Sequence, residues 1–405
     1  MELIAKQRAT ESAFEDYRPV DFSLVRGGLT YYLWEKLHLL RRPIEHIGRR
    51  AFAIAMVAWL PLLLLLWLSE RSNVTAAVPF ISDLQTHTRL LFCLPLMILG
   101  EWFFEVRMKS AVRQFVDRNL VTAEQRSKFD AILDSTHRLR DSYWPEIALI
   151  IVVYSVGHSL WATKHALQVS SWSARVADGS LHYTTAGLWL AFVSIPLYQF
   201  LTLRWVWRIL LWYQFLFRVR ALPLQLNLFH PDKAAGLGFL GATGVAFAPF
   251  LVAQSGLLAG VIGNRILYSG MRLPDFKIEI AATILMLTGV VIIPLVIFEP
   301  LLDNAKRQAS REFGVLASAY TNEFHKKWIH AGVPRTIQGI VGAEDFQALA
   351  DLGNSFFYIR EMRHFPFTKT DIVSLAIIVA LPFLPLSLTM VSLERIVGQA
   401  LKMLV

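Results

Sequence analysis

The chain has 405 residues, of which 55% are hydrophobic, 12% aromatic and only 18% charged. This is more apolar than a soluble domain of that length, so the composition predicts a membrane protein. The formal charge of +9 is compatible with nucleic-acid binding, but basic residues also collect in the cytoplasmic loops of membrane proteins. The single cysteine, Cys93, excludes an intrachain disulfide framework and a cysteine-based metal cluster.

The N-terminal segment, residues 1–50, precedes the first apolar run, and this late start predicts an attached cytoplasmic segment in place of a signal peptide. Within it, residues 29–43 mix aromatic, leucine and basic residues over about three helical turns. This pattern predicts a helix at the headgroup level, or one that packs on the cytoplasmic part of the protein.

Seven later stretches are apolar over the roughly 17 to 25 residues that a spanning helix needs. They are residues 51–68, 88–106, 143–167, 185–204, 238–262, 278–302 and 372–393. We therefore predict an all-α polytopic membrane protein with about seven transmembrane helices. Residues 51–302 contain six of them, and residues 371–405 contain the seventh followed by an outer interfacial helix.

The distribution of charge predicts the orientation of these spans. Most of the 40 lysines and arginines lie in residues 1–50, 107–140, 204–233 and 303–370, which alternate spans place on one side. By the positive-inside rule the N terminus is cytoplasmic and the C terminus lies outside. The same bias accounts for the net charge without nucleic acid, so membrane lipids are the expected surroundings and nucleic acid is not an expected partner.

The cytoplasmic segments have helical periodicity, which predicts a layer of helical extensions. The pattern of residues 107–142 predicts two helices joined near Thr122. The pattern of residues 203–235 predicts a projecting helix that ends at Pro223. Residues 303–370 predict a helical hairpin with two buried apolar stripes. The stripes are Phe313, Leu316, Tyr320, Phe324 and Trp328 on the first helix, and Phe346, Leu349, Leu352, Phe356, Ile359 and Met362 on the second.

Residues 227–244 combine a polar turn, a series of glycines and the start of the fifth span. His230, Asp232 and Lys233 are weak catalytic candidates, because at the inner headgroup level Lys233 could hold a phosphate and His230 could move a proton. The G-x-G-x-x-G pattern of residues 236–241 binds dinucleotides only after a strand. The structural alternative is that the glycines admit a neighbouring helix and that His230 and Asp232 cap the turn.

Charged residues inside spans are costly and therefore point to function or to pairing. Glu101 and Glu105 lie four residues apart on the second span, and Arg204 and Arg208 lie four apart on the fourth. Each pair shares one helix face at a matching depth. The pairs therefore predict either a clamp between helices or an ion or proton path.

Further intramembrane candidates are His158 on the third span and Gln254 on the fifth. Pro382 and Pro385 interrupt the seventh span, and such irregular backbone favours a place at a pore or cavity. His325 and His330 are five residues apart, a spacing that does not place them on one face of an α-helix. We therefore predict no metal site and no cofactor.

Three motifs resemble a pattern that recurs in a group of bacterial polytopic membrane proteins. They are HPDKAAGLGFL at residues 230–240, EDFQALADLGNSFFYIREMR at 344–363 and LPFLPLSLTMVSLE at 381–394. The resemblance implies a bacterial inner-membrane location and brings no catalytic residues. The topology is separately similar in outline to the seven-span insect chemoreceptor channels, an analogy of architecture alone.

Three functions remain open from the sequence. The first is a homo-oligomeric channel or transporter for ions or small solutes, with a path near the third, fifth and seventh spans. The second is a lipid-binding protein or enzyme that acts through His230, Asp232 and Lys233 if these converge on a pocket. The third is a sensor or scaffold, which predicts an exposed apolar patch on the cytoplasmic helices. The motifs favour no particular enzyme activity.

Overall fold

The computed structural model describes residues 22–28, 32, 36, 47–69, 79–157, 159, 172–177, 180–330 and 344–388. Helices dominate the described chain, as the sequence predicts. They are α1 (Ile47–Ser69), α2 (residues 84–117), α3 (Ala123–Asp141), α4 (Tyr143–Val152, extended by a π-turn to Gly157), α5 (Thr185–Arg220), α6 (Phe239–Ser269), α7 (Leu273–His330), α8 (Glu344–Arg360) and α9 (Lys369–Ser387).

Five helices are long and apolar enough to cross a membrane, namely Ile47–Leu68, Thr185–Arg220, Phe239–Ser269, Leu273–His330 and Lys369–Ser387. The shorter α4 is also apolar. Helix α2 is not among the five, and its apolar stretch is interrupted by Arg89, Glu101 and Glu105. The multi-span helical class is thus confirmed, whereas the number of seven spans stays a prediction.

Prolines account for the local irregularities of the long helices. Proline lacks a backbone N–H, and its ring clashes with the carbonyl four residues earlier, so the preceding turn widens or tightens. In α2 a π-helix, Thr88–Cys93, precedes Pro95, and in α5 the π-helix Leu190–Ser194 precedes Pro196. In α9 the break predicted from Pro382 is a 3-10 turn, Leu381–Phe383.

The core lies between α2, α5 and α6, where large aromatic side chains are fully buried. They include Phe104 on α2, Trp205 and Trp212 on α5, and Phe247 on α6. The indole of Trp205 stacks on Phe250 with ring centroids 5.7 Å apart. Large apolar side chains also cover the outside of the bundle, as expected of a protein whose solvent is lipid.

The connections between helices follow the predicted breaks. Thr122 is the N-cap of α3, five residues after α2 ends at Asp117, and α5 ends at Arg220, shortly before Pro223. One feature was not predicted: two strands, Ala174–Ala177 and Ser180–Tyr183, pair as an antiparallel hairpin before α5. We call the end of the bundle that carries α3 and the start of α4 the basic end.

Within the predicted hairpin of residues 303–370, the described helices α7 and α8 lie against each other, but most residues of the two predicted apolar stripes are half-buried or exposed. Helices α7 and α8 contact each other through Phe324 and Phe346, whose ring centroids lie 5.0 Å apart. Of the predicted stripes only Ile359 and Met362 are buried, while Leu316 is 52% exposed. Two helices that pack on each other bury only the parts of their apolar stripes that lie along the contact. The remaining part of each stripe stays exposed.

The expectation that His325 and His330 point apart is also wrong. Their ring centroids lie 4.6 Å apart. Residues Lys326–His330 form a π-helix, and its i to i+5 repeat brings residues five apart onto one face. No group of three or more metal-ligating side chains occurs among the residues that the structure describes.

Several sequence predictions fall outside the described residues. These are the interfacial helix at 29–43, apart from Tyr32 and Lys36, the candidate His158, and the outer helix that follows the seventh span.

Candidate functional site

A cluster of buried charges joins the helices at the basic end of the bundle. The Glu101 carboxylate on α2 accepts hydrogen bonds from Nη2 of Arg208 and Nη2 of Arg50, both at 2.6 Å. Arg204 lies within 3.5 Å of the same carboxylate and 3.5 Å from Glu146 at the start of α4. We call these five residues, all of them buried, the charged cluster. They join α1, α2, α4 and α5.

The predicted clamp is therefore confirmed for Glu101 and its two arginines on α5. It is wrong for Glu105, which does not pair with them. The Glu105 carboxylate accepts a hydrogen bond from Oγ of Ser23 at 2.8 Å and lies 3.2 Å from Nε of Arg26. Position 105 is one helical turn further along α2, at the level where the N-terminal segment covers the bundle.

Polar side chains that are buried or half-buried extend from the charged cluster into the bundle. Tyr198 on α5 donates from its hydroxyl to Oε1 of Gln254 on α6 over 3.4 Å. Gln254 Nε2 and Thr202 Oγ1 both approach the sulfur of Met97, at 3.7 and 3.9 Å. Met97 lies one turn from Glu101 on α2. These side chains meet where α2, α5 and α6 come together.

Arg89 continues this series two turns before Met97. It is 9% exposed, and its guanidinium carbon lies 5.9 Å above the ring of Tyr198. No carboxylate among the described residues lies within ion-pair distance of it. We call Arg89 and Tyr198, which are buried, together with Gln254 and Thr202, which are half-buried, the buried row. It connects the charged cluster with the opposite end of the bundle.

Asp83 lies at that opposite end of the bundle. Its carboxylate accepts hydrogen bonds from Thr86, from Nε1 of Trp172 at 3.0 Å and from Nδ2 of Asn264 at 2.8 Å. Burial raises the pKa of Asp83, but the hydrogen bonds lower it by more. The pKa of Asp83 therefore lies below its ordinary value. Trp172, which precedes the first strand, and the end of α6 are thereby fixed to the start of α2.

The other intramembrane candidates do not join this site. Pro385 is exposed on α9 and Pro382 is half-buried, and neither lies in the buried row. Gln254 alone of the predicted fifth-span and seventh-span candidates contributes to it. The buried row therefore lies between the second, fourth and fifth predicted spans, and it shares only the fifth span with the path that the sequence predicted near the third, fifth and seventh.

In the turn at His230, Asp232 and Lys233, the polar side chains form hydrogen bonds and ion pairs with other parts of the protein. The Asp232 carboxylate accepts from the backbone N–H groups of Ala234, Gly236 and Gly238 at 2.9 to 3.1 Å. Its other contacts are Arg118 Nη1 at 3.3 Å and Nδ1 of His230 at 3.0 Å. Lys233 pairs with Glu361. These side chains cap the turn and fasten it to neighbouring helices, so the geometry removes the support for a headgroup-level catalytic site.

The glycines after the turn allow the close approach that the sequence predicted. A Cβ on Gly241 would lie 2.5 Å from Oδ2 of Asp371 and 3.0 Å from Cα of Phe367. A Cβ on Gly244 would lie 2.7 Å from Leu375. The neighbour is the start of α9, so these positions set the contact between α6 and α9. The G-x-G-x-x-G pattern does not directly follow a strand, as a dinucleotide site requires, because helix α5 and a turn come before it.

No family model, curated protein or solved structure matches this chain.

Sequence reasoning missed five members of the charged cluster and the buried row: Arg50, Arg89, Glu146, Tyr198 and Thr202. A usable signal was present for Arg89, because residues 89, 93, 97, 101 and 105 follow each other at spacing four on one face of α2. Arg50 and Glu146 stand at predicted span boundaries, where charged residues are ordinary. Only the packing of four helices shows that these two are buried.

A pH-dependent effect is expected at Asp232. Burial raises its pKa, but the hydrogen bonds from Ala234, Gly238 and Gly236 outweigh burial and hold the pKa below the ordinary value. Because the pKa of Asp232 is lower in the folded state, its ionised carboxylate stabilises the fold at pH values above the unfolded-state pKa of about 3.9. This stabilisation is lost as the pH falls through the folded-state pKa. The substitution Asp232→Asn is expected to cost about 1–2 kcal/mol at neutral pH.

The measurement is chemical unfolding of both chains in mild detergent between about pH 3 and pH 7. The stability difference is expected to be full above about pH 5 and to shrink below about pH 4. Asp275→Asn, at an exposed cap, is the matched control. A difference that stays constant with pH would contradict a role for the Asp232 charge.

Proposed function

We propose that this integral membrane protein moves ions or small solutes across the bilayer, as a channel or transporter. The observation that carries the proposal is the buried row between α2, α5 and α6, which leads from Arg89 to the charged cluster. Polar and charged side chains inside a lipid-embedded bundle are costly, and they mark solute pathways and proton relays in membrane proteins. A clamp between helices explains the Glu101 pairs but does not require Arg89, Tyr198 and Gln254.

The charges of the site favour an anionic solute. Four arginines, Arg50, Arg89, Arg204 and Arg208, are buried along it, and Arg89 has no carboxylate of the described residues within ion-pair distance. Nη1 of Arg208 is buried and has no hydrogen-bond partner among the described residues. A buried N–H donor without a hydrogen-bond acceptor is unfavourable, and an anion or a water molecule would supply the acceptor.

Uptake of chloride into liposomes containing the purified chain tests the proposal. The expected result is uptake above that of protein-free liposomes, with potassium uptake much slower. Replacing Gln254 with leucine keeps the side-chain size and removes its hydrogen bond to Tyr198. This is expected to slow uptake roughly fivefold, the effect of about 1 kcal/mol.

The matched control is Gln199→Leu. Gln199 lies on α5 next to Tyr198 but donates to the backbone oxygen of Gly157 on the side of α4. Uptake through this variant is expected to be unchanged. Equal loss in both variants, or no uptake of either ion by the unaltered chain, would contradict a path along the buried row.

A homo-oligomer is part of the proposal. The helical hairpin beyond the basic end leaves large apolar side chains open, with Val315 73% and Phe357 56% exposed. Exposed apolar surface of this kind marks protein contacts, and a second copy would cover it. The mass of the protein in the same liposome preparation, measured after mild extraction, distinguishes an oligomer from a monomer.

The same surface supports a second function, a membrane sensor or scaffold. In that case the hairpin binds a different protein, and the chain shows no solute uptake. The uptake experiment therefore separates the two proposals.

A further inference from the structure

A groove with an excess of positive charge lies where α7 leaves the apolar part of the bundle. It is formed by the second half of α7 and the segment that connects α8 to α9. Its lining includes Asp303, Lys306, Arg307, Ser310, Arg311 and His364. None of these residues belongs to the charged cluster or to the buried row.

The one carboxylate in this lining is already engaged. Asp303 binds Nη2 of Arg307 at 2.7 Å and Nδ1 of His364 at 3.2 Å. Lys306 donates one N–H to the backbone oxygen of Met362 at 2.6 Å, which leaves its other two donors for a ligand. Arg311 has no ion pair or hydrogen bond with any described residue. The groove therefore presents several cationic donors around a single carboxylate that is shared by two partners.

The position of the groove in α7 favours a lipid. The apolar part of α7, which contains Glu299 near its end, finishes at Leu302, and polar residues are frequent from Asp303 onward. This transition places the groove at the level of the headgroups. Beside His364, the ring of Phe365 is 37% exposed and stacks on Phe367 with centroids 5.3 Å apart. An exposed phenylalanine next to cationic donors suits a ligand that has both a phosphate and an acyl chain.

We propose that this groove binds the phosphate headgroup of an anionic phospholipid. Lys306, Arg307 and Arg311 supply the charge and the donors, Ser310 adds a hydroxyl, and Phe365 contacts the acyl chains. Basic residues near a membrane surface attract anionic lipids in this way. The inference does not depend on transport, because it concerns a different surface of the molecule.

Native mass spectrometry of the purified full-length chain in neutral detergent tests the assignment, with phosphatidylglycerol, phosphatidylcholine and sodium phosphate as separate probes. Phosphatidylglycerol is expected to bind more tightly than phosphatidylcholine, and inorganic phosphate is expected to compete weakly. The variant R307Q/R311Q is expected to bind its first phosphatidylglycerol about 25-fold more weakly, since each basic residue at an anionic surface contributes about fivefold.

The control variant K326Q/K327Q removes two exposed charges from the far end of the same helix. It is expected to bind phosphatidylglycerol like the unaltered chain. The assignment is overturned if both variants lose affinity equally, or if phosphatidylcholine binds as tightly as phosphatidylglycerol. It is also overturned if inorganic phosphate binds as tightly as the lipid, because the groove would then be a site for a soluble phosphate.

Discussion

Replacing Glu101 with glutamine is expected to lower the free energy of unfolding by about 3–5 kcal/mol, the usual cost of removing one partner from a buried ion pair. The carboxylate accepts 2.6 Å hydrogen bonds from both Arg50 and Arg208, and Arg204 lies within 3.5 Å. A neutral amide removes the carboxylate that these buried guanidinium groups share, while Glu146 stays 3.5 Å from Arg204. The substitution therefore weakens the ion pairs that join four helices, α1, α2, α4 and α5.

Unfolding in mild detergent, followed by circular dichroism, measures this effect. Glu312→Gln is the matched control, since Glu312 is an exposed residue of the helical hairpin that accepts a hydrogen bond from Gln308. It is expected to change stability by less than about 0.5 kcal/mol. The double variant E101Q/R208Q removes the cation as well and is expected to be less destabilised than the sum of the two single variants. Simple additivity would contradict direct coupling between Glu101 and Arg208.

The substitution Gly241→Ala is expected to destabilise the fold by about 3 kcal/mol, the upper end of the range for overpacking. A methyl group at this position would lie 2.5 Å from Oδ2 of Asp371 and 3.0 Å from Cα of Phe367. The second contact is with backbone, which a change of rotamer cannot relieve. Asp371 also caps α9 by accepting from the backbone N–H of Thr368 at 2.7 Å. Relief of the clash therefore requires α9 to move away from α6.

Gly314→Ala is the matched control, because it makes the same chemical change within helix α7 where no atom lies within 4 Å of the added methyl group. It is expected to stabilise the protein by about 0.5–1 kcal/mol through helix propensity. The two substitutions thus have opposite expected signs in the same unfolding measurement. A loss of stability at Gly314 similar to that at Gly241 would show that the effect of Gly241 does not come from contact with α9.

The class of the protein and the positions of most helices could be predicted from the sequence because they depend on local properties. Apolar runs of spanning length give the membrane helices, Thr122 stands at the N-cap position of α3, and Pro223 marks a break because proline lacks a backbone N–H. The glycines at 241 and 244 also indicated a close helix contact, since small residues at this spacing act in any bundle. The sequence did not identify α9 as the partner, because that depends on which helices become neighbours.

The partners of each charge were decided by the tertiary structure alone. Glu101 and Glu105 have the same local pattern, yet one binds three arginines and the other binds Ser23 and Arg26 of the N-terminal segment. A helical period fixes the face of a residue but not the element that covers that face. The turn at Asp232 is a further example: its motif suggested chemistry, but five neighbouring groups engage its carboxylate. The sequence by itself determined the membrane class and the breaks, and packing decided which buried charges meet, because pairing requires the relative position of helices distant in the chain.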